Sequence, residues 1–297
     1  PVVDIMLVLD VSGSMQDGKF VAYNTPEGRA TLDTTKEYYI IYGNYKYTMK
    51  YSSGWYIYYR SEWHSADRFY NNVSIYESKL SMLKGNVAQF IKDTAAKSPN
   101  SKIGIVTFSS SGYNNHNMQQ PLQTVGTNKD TLITFVNGLY AVGGTDPAVG
   151  LTYARSQLDT MTDGNSKYVI LFTDGEPTGN RTDRQWDSDV VSSANTAASG
   201  LKQAGYTVYT IGFELGNDAK IFLAGGQVGG DTYSGIASAG CAREADNAES
   251  LGEIFREIQQ TITDKIEITG VTVTDVIDPR FEIVDNGQII TTENFQD

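Results

Sequence analysis

Five oxygen-bearing side chains, in three separate stretches of the chain, could together bind a divalent metal ion. Asp10, Ser12 and Ser14 follow one another at intervals of two residues, and Thr145 and Asp174 lie far downstream. Carboxylate and hydroxyl oxygens are hard ligands, which suit hard cations such as Mg²⁺. Such a site forms only if the fold brings the three stretches together.

The residues before Asp10 predict how the first three ligands are positioned. Residues 2–9 are mostly β-branched or large aliphatic residues, which is typical of a strand buried on both faces of a parallel sheet. Gly13 allows a sharp turn directly after that strand. The strand therefore delivers one carboxylate and two hydroxyls into a tight loop at its carboxyl end, where ligands usually bind in open α/β sheets.

Strand and helix patterns alternate along most of the chain. Strands are predicted over 102–108, 116–125 (an antiparallel edge strand), 167–173 and 207–213, and helices over 76–97, 129–139 and 249–263. Thr145 falls in a glycine-rich loop before a helix, and Asp174 follows the strand that ends at 173. The alternation predicts an α/β fold, with a doubly wound, mostly parallel sheet flanked by helices. In that fold all three stretches open at the same edge of the sheet.

Residues 17–75 interrupt the alternation with a segment of different composition. The segment contains eleven of the nineteen tyrosines and two of the three tryptophans. Short strands over 37–42, 45–51 and 55–60 predict a small antiparallel meander beside the Asp10 loop. Because aromatic rings combine a large contact area with polar atoms, the meander is a candidate ligand surface, and the alternative is that its rings form a small core of their own. The candidate surface residues are Tyr45, Tyr47, Trp55, Tyr56, Tyr58 and Trp63.

Charge, cysteine content and the length of the apolar runs exclude several partners and structural features. The formal net charge is −12, which argues against a nucleic acid or an anionic membrane as a partner. The single cysteine excludes an internal disulfide. The apolar runs are all too short to span a membrane, and together with the acidic charge this leads us to expect no direct membrane binding.

The three ligand stretches together resemble the metal-ion-dependent adhesion site of von Willebrand factor type A domains. The resemblance rests on Asp-x-Ser-x-Ser at 10–14, Gly-Gly-Thr-Asp at 143–146 and Phe-Thr-Asp-Gly-Glu-Pro at 172–177, and it covers roughly residues 1–16 and 76–264. It implies that Mg²⁺ or Mn²⁺, with Ca²⁺ less favoured, is held by the five oxygen-bearing residues named above. It also implies that a carboxylate of a partner completes the metal coordination. Asp146 and Glu176 are expected to shape the loops or to support the ligands from behind.

The inserted segment and the end of the chain resemble features of one group of proteins with type A domains. An insertion after the first metal loop is similar to the inserted arms of Gram-positive pilus tip adhesins. Residues 271–281 resemble the entry to an immunoglobulin-like stalk domain of such proteins. We therefore expect a type A domain over 1–264, with the insertion over 17–75 inside it, and the beginning of an all-β stalk domain over 265–297.

This resemblance implies a cell-surface adhesin module that binds a host matrix protein or a glycan through the metal. Its expected location is extracellular, at the wall-anchored surface or pilus tip of a Gram-positive bacterium. Other pilus subunits are further expected partners. One alternative is a structural or assembly subunit of a pilus or wall complex that uses the same metal site.

Two further alternatives belong to other classes of protein. An intracellular type A domain serving an AAA-type ATPase or a metal chelatase would share the site, but the β-strand pattern after residue 265 argues against it. A phosphatase of the haloacid dehalogenase type needs a second acid two residues after its first aspartate, as a general acid. Position 12 is serine, so we expect no enzymatic activity.

Overall fold

The computed structural model describes residues 1–110, 119–179, 186–264, 284–285 and 288–289. The chain divides into two compact units, Pro1–Asp264 and Lys265–Asp297. In the second unit, Val284–Asp285 pairs antiparallel with Gln288–Ile289. The stalk strands predicted over 266–268 and 271–274, and residues 281–283 of the strand predicted over 281–284, lie outside the described residues. Within the described part of the chain, no helix is both long enough and apolar enough to cross a membrane.

The strands of the described residues are, in chain order, β1 (Val3–Asp10), β2 (Gly18–Tyr23), β3 (Tyr38–Tyr42), β4 (Tyr45–Tyr51), β5 (Trp55–Tyr59), β6 (Glu62–Ser65), β7 (Ser74–Ser78), β8 (Lys102–Phe108), β9 (Gln119–Thr124), β10 (Ser166–Thr173), β11 (Thr207–Phe213), β12 (Gly226–Val228), β13 (Asp231–Tyr233), β14 (Ala242–Ala245), β15 (Val284–Asp285) and β16 (Gln288–Ile289). The α-helices are α1 (Pro26–Ala30), α2 (Lys79–Lys97), α3 (Val125–Asn137), α4 (Ala148–Asp159), α5 (Ser188–Gln203), α6 (Asn217–Ala224) and α7 (Ala248–Thr263). A short 3₁₀ turn covers Gly13–Gln16.

The central sheet has the strand order β14-β11-β10-β1-β8-β9. All its neighbouring strands run parallel except β9, which pairs antiparallel with β8 at one edge. Every residue of β1 is buried, as expected for a central strand covered on both faces. The prediction of a doubly wound, mostly parallel sheet with an antiparallel edge strand is confirmed.

Two hydrophobic cores lie on opposite faces of this sheet. Because side chains alternate along a strand, Ile5, Leu7 and Leu9 of β1 face helices α2, α3 and α7. Met6 and Val8 face helices α4, α5 and α6. The register aligns Asp10 with Phe108 of β8 and Leu9 with Phe172 of β10, so the strand ends meet at one edge.

The insertion forms a second, antiparallel sheet with the strand order β2-β7-β3-β4-β5-β6. It is larger than the predicted three-stranded meander, because β6 pairs with β5, and β2 and β7 at the two ends of the insertion also join the sheet. The helix predicted from residue 76 begins instead at Lys79. Residues 74–78 alternate between half-buried and buried positions as a strand does, and the Ser78 side chain then caps the helix by accepting from Ser81 N.

Candidate metal centre

The three predicted ligand loops meet at the carboxyl edge of the central sheet. The amide of Gly13 donates to the carbonyl oxygen of Gly143 over 2.8 Å, which joins the first loop to the second. The amide of Gly179 donates to the carbonyl oxygen of Thr145, also over 2.8 Å, which joins the third loop to the second. Because these bonds link backbone to backbone, the relative positions of the loops are set by the fold itself.

Asp10 is fully buried, and both of its carboxylate oxygens accept hydrogen bonds. The amide of Ser12 donates to Oδ1, and the hydroxyl of Thr173 donates to Oδ2, each over 2.7 Å. Burial, and then the neighbouring carboxylate of Asp174, raise the pKa of Asp10 to about 7. Asp10 therefore fixes the first loop directly, and it brings a negative charge that is costly to maintain without a nearby cation.

The hydroxyls of Ser12 and Ser14 lie beside the third carboxylate. Ser12 Oγ and Ser14 Oγ are 3.1 Å apart, and Ser14 Oγ donates to Asp174 Oδ1 over 2.7 Å. Neighbouring ligands of an octahedral Mg²⁺ ion, each about 2.0–2.1 Å from the metal, lie about 2.9 Å from one another. The oxygen spacing and the all-oxygen donor set both fit a small divalent cation.

Asp174 also forms an ion pair that no sequence pattern predicts. Its side chain has no solvent exposure, and Lys79 Nζ lies 2.9 Å from its Oδ2 atom. Lys79 is the first residue of α2, where the helix dipole disfavours a positive charge. The compensating interaction is therefore the carboxylate of Asp174. The two residues are 95 positions apart, and neither belongs to a pattern that links them.

The second loop is packed too tightly to accommodate a side chain at Gly144. A Cβ atom on Gly144 would lie 1.7 Å from the carbonyl oxygen of Gly179, and the Gly144 amide donates to Ser110 Oγ over 2.5 Å. Thr145 is buried at this point of the loop. Asp146 accepts from the amide of Ala148 through Oδ1 over 3.1 Å, a contact that shapes the start of α4.

Glu176 lies on a different side of the third loop. Its nearest described neighbours include Gly216 and the first turn of α6. Burial, and then the charge of Asp218, raise the pKa of Glu176. Its described hydrogen bond is to the backbone of Ala219 in α6, and among the described residues none links it to a predicted metal ligand, so its supporting role stays a prediction.

The aromatic residues predicted as a ligand surface fall into three groups. Tyr45, Tyr58 and Trp63 are exposed, with 69%, 43% and 47% of their surface accessible. Tyr47 and Tyr56 are half-buried. The prediction for Trp55 is wrong, because this residue is 9% exposed and its ring packs edge-on in the core of the inserted sheet.

The inserted sheet contacts the carboxyl edge of the central sheet at several points. Lys46 of β4 donates to the carbonyl oxygen of Gln16 over 2.9 Å, two residues after Ser14. Lys19 of β2 pairs with Glu214, which directly follows β11, over 2.5 Å. The insertion therefore lies at the edge that carries the candidate metal ligands, in agreement with its predicted position beside the Asp10 loop.

Comparison with known families gives one match over more than half of the chain. The model of the von Willebrand factor type A domain family matches residues 73–267. The matched range contains Thr145 and Asp174 and begins just before β7, the last strand of the insertion in chain order, so the Asp10 loop lies before it. No curated protein sequence matches the chain.

Solved structures with a similar fold include a pilus adhesin and a minor pilin, both from bacteria. One form of the pilus adhesin SpaC from Lactobacillus rhamnosus GG has a TM-score of 0.56 at 18% identity, over 88% of this chain and 30% of that protein. The PilB minor pilin from Streptococcus sanguinis has a TM-score of 0.52 at 16% identity, over 88% of this chain and 61% of that protein. The chain thus spans less than two thirds of the length of either protein.

Proposed function

The chain belongs to the von Willebrand factor type A domain family, and from this premise we propose that it is a metal-dependent adhesin module. The proposed ligand is a host matrix protein or a glycan that offers a carboxylate to a divalent ion, Mg²⁺ or Mn²⁺. The observation that carries the proposal is that Ser14 Oγ lies within hydrogen-bonding distance of both Ser12 Oγ and Asp174 Oδ1. We propose no enzymatic activity for this site.

The chemistry of the cluster supports metal binding followed by recognition of an anion. The hydroxyls of Ser12, Ser14 and Thr145 would hold the ion as neutral ligands. Asp10 and Asp174 would supply the negative charge, Asp10 from behind the loop, since both of its oxygens already accept hydrogen bonds. The ion would still attract a carboxylate, because most of its direct ligands would be neutral hydroxyls and the charge of Asp10 would act only from behind the loop. The chain's own role is to hold these oxygens at one rigid edge of a sheet.

Two features favour the bacterial surface as the location of this module. The sequence carries an aromatic insertion at the candidate metal edge, and structures of similar fold include a pilus adhesin and a minor pilin. We propose an extracellular location, at the wall-anchored surface or a pilus tip of a Gram-positive bacterium. The same two neighbours also suit a pilus assembly subunit, which is the second candidate function.

Metal binding is tested first, on the isolated chain. Calorimetric titration with Mg²⁺ and Mn²⁺ should show one site in the wild type and strongly weakened binding in Ser14→Ala. The matched control is Ser156→Ala, which removes an exposed hydroxyl on α4. Equal metal binding by both variants would contradict the assignment of Ser14 as a ligand.

Adhesion is tested second, on immobilised matrix proteins and glycans. Binding should require Mg²⁺ or Mn²⁺, disappear with a chelator and disappear in Ser14→Ala. Binding that a chelator does not change would remove the metal from the mechanism. Retention by other pilins, together with a failure to bind host ligands, would favour the assembly subunit.

A further inference from the structure

The ammonium group of Lys79 lies next to the candidate metal ligands. Its Nζ atom is 2.9 Å from Asp174 Oδ2, while Ser14 Oγ donates to Oδ1 of the same carboxylate over 2.7 Å. Ser14 Oγ lies in turn 3.1 Å from Ser12 Oγ. The side chain of Lys79 is 14% exposed, and that of Asp174 is not exposed at all. A fixed positive charge therefore lies at the edge of the sheet where a divalent cation is proposed to bind.

Asp174 lies close to a second buried carboxylate, that of Asp10. The two carboxylates repel each other, and the charge of Asp174 is the second cause, after burial, of the raised pKa of Asp10. Among the described residues, Lys79 is the cation that forms an ion pair with one of these two carboxylates. Lys79 therefore compensates part of the negative charge that would otherwise attract a metal ion.

Lys79 is held in this place where the two ends of the inserted sheet meet. Its amide donates to the carbonyl oxygen of Asp17 over 2.8 Å, directly before β2 begins. Ser78, the last residue of β7, lies opposite Gly18 of β2 and caps α2 by accepting from the amide of Ser81. The insertion therefore fixes the backbone from which the ammonium group reaches Asp174.

The lysine changes the charge balance of the site. With both carboxylates ionised, Asp10, Asp174 and Lys79 together carry one net negative charge, and a divalent ion would convert this to one net positive charge. Without the ammonium group, the same site would be doubly negative before the metal binds and neutral afterwards. The lysine therefore weakens the attraction of the site for the cation and strengthens the attraction of the loaded site for an anion.

We propose that Lys79 couples the binding of the metal to the binding of the ligand's carboxylate. It keeps the divalent ion weakly bound in the absence of a ligand, and it leaves the loaded site positive, so that a carboxylate is recruited. Lys79 is thus a positioning residue that acts through Asp174 and needs no contact with the ligand. This coupling rests on the proposed metal-dependent function and adds a residue that favours acidic over neutral partners.

The test measures Mg²⁺ affinity by calorimetry at pH 8, with and without acetate as the carboxylate probe. Acetamide, which is similar in shape and uncharged, is the comparison probe, and the free Mg²⁺ concentration is corrected for its own complex with acetate. The variants are Lys79→Met and Lys79→Gln, of which the second removes the same charge but keeps a hydrogen-bond donor. The matched control is Lys97→Met, whose pair with Asp264 is exposed. Thermal unfolding establishes that each variant is folded at the temperature of the titration.

We expect both Lys79 variants to bind Mg²⁺ about tenfold more tightly than the wild type in the absence of acetate. Acetate should tighten Mg²⁺ binding by the wild type and by Lys97→Met. By linkage, the factor equals that by which Mg²⁺ tightens acetate binding. In the Lys79 variants this factor should fall by about threefold or more, and acetamide should change the Mg²⁺ affinity of none of the chains.

Opposite shifts of the two affinities distinguish this role from a structural one, because structural damage would weaken the binding of both the metal and the carboxylate. Weaker Mg²⁺ binding in the Lys79 variants, an unchanged effect of acetate, or equal shifts in Lys97→Met would each overturn the coupling. The proposed function would survive these results as long as the wild type binds Mg²⁺. Absence of Mg²⁺ binding in the wild type would refute the proposed function, and the coupling with it.

Discussion

Replacing Lys79 by methionine tests whether a metal ion and this lysine compensate the same buried charge. Methionine keeps the length of the side chain and removes the ammonium group. In the wild type that group lies 2.9 Å from Asp174 Oδ2, and the side chains of Lys79 and Asp174 are 14% and 0% exposed. Among the described residues, the variant therefore leaves the buried carboxylate of Asp174 with the hydroxyl of Ser14 as its hydrogen-bond partner.

The size of the effect follows from the burial of this pair. Removing one partner of a buried ion pair costs about 3–5 kcal/mol of unfolding free energy. Since Lys79 is slightly exposed and Ser14 still donates to Asp174, we expect the lower end, about 3 kcal/mol. For a domain of this size, that loss lowers the melting temperature by roughly 6–12 °C.

The assay is thermal and denaturant unfolding, first with a chelator and then with saturating Mg²⁺. A divalent ion beside Asp174 should replace the missing charge, so the loss should shrink when metal is added. By linkage, a recovery of about 1.5 kcal/mol corresponds to about tenfold tighter Mg²⁺ binding by the variant. The matched control is Lys97→Met, whose pair with Asp264 is exposed on both sides and should contribute less than about 1 kcal/mol.

Two results would refute this reasoning. One is a variant as stable as the wild type in the chelator, which would mean that the pair contributes nothing. The other is an unchanged or weaker Mg²⁺ affinity in Lys79→Met, which would mean that lysine and metal do not compete for Asp174.

Three further predictions concern pH, loop packing and the aromatic insertion. The pKa of Asp10 is about 7 in the folded protein and about 4 in the unfolded chain. Between these pH values the folded state therefore binds more protons than the unfolded state. Asp10 thus contributes increasing stability as the pH falls from 7 towards 4. In a chelator, the unfolding free energy of the wild type minus that of Asp10→Asn should rise by up to about 1.4 kcal/mol per pH unit on acidification, and parallel pH profiles would contradict this. Gly144→Ala places a Cβ atom 1.7 Å from a backbone oxygen of the third loop and should cost about 1–3 kcal/mol in denaturant unfolding; wild-type stability would show that the loops are not tightly joined. Trp55→Ala should lower the unfolding free energy by about 3–5 kcal/mol because its ring is buried. Trp63→Ala should change the unfolding free energy by no more than about 0.5 kcal/mol and should weaken adhesion. A larger stability loss in Trp63→Ala than in Trp55→Ala would refute the assignment of Trp55 to the core and Trp63 to the surface.

The fold and the first ligand loop were predictable because their signals are local. A run of buried aliphatic residues ending in Asp10 predicts both a central strand and the loop that follows it. The parallel arrangement then predicts that the loops after β1 and β10 meet, and the structure places Ser14 against Asp174. Their assignment as metal ligands stays a prediction until metal binding is measured.

The remaining features depend on contacts that local patterns do not specify. The Lys79–Asp174 pair joins residues 95 positions apart. Residues 76–78 were expected to begin a helix, and pairing with β2 and β3 makes them part of strand β7 instead. Trp55 has the same residue type and strand setting as exposed aromatic residues nearby, so its burial depends on which face of the sheet it occupies. The glycine-rich stretch 217–238, with no predicted element, contains α6 and the β12–β13 hairpin.

The pairing of β2 with β7 has a consequence for how this molecule could change over evolution. The register places Gly18 opposite Ser78, and the amide of Lys79 donates to the carbonyl oxygen of Asp17 over 2.8 Å. The insertion thus leaves and rejoins the rest of the chain at adjacent points. Segments whose ends lie close together can be exchanged with little disturbance of their host. The inserted sheet can therefore behave as a replaceable cassette, so that new binding preferences can arise while the oxygens at the sheet edge stay the same.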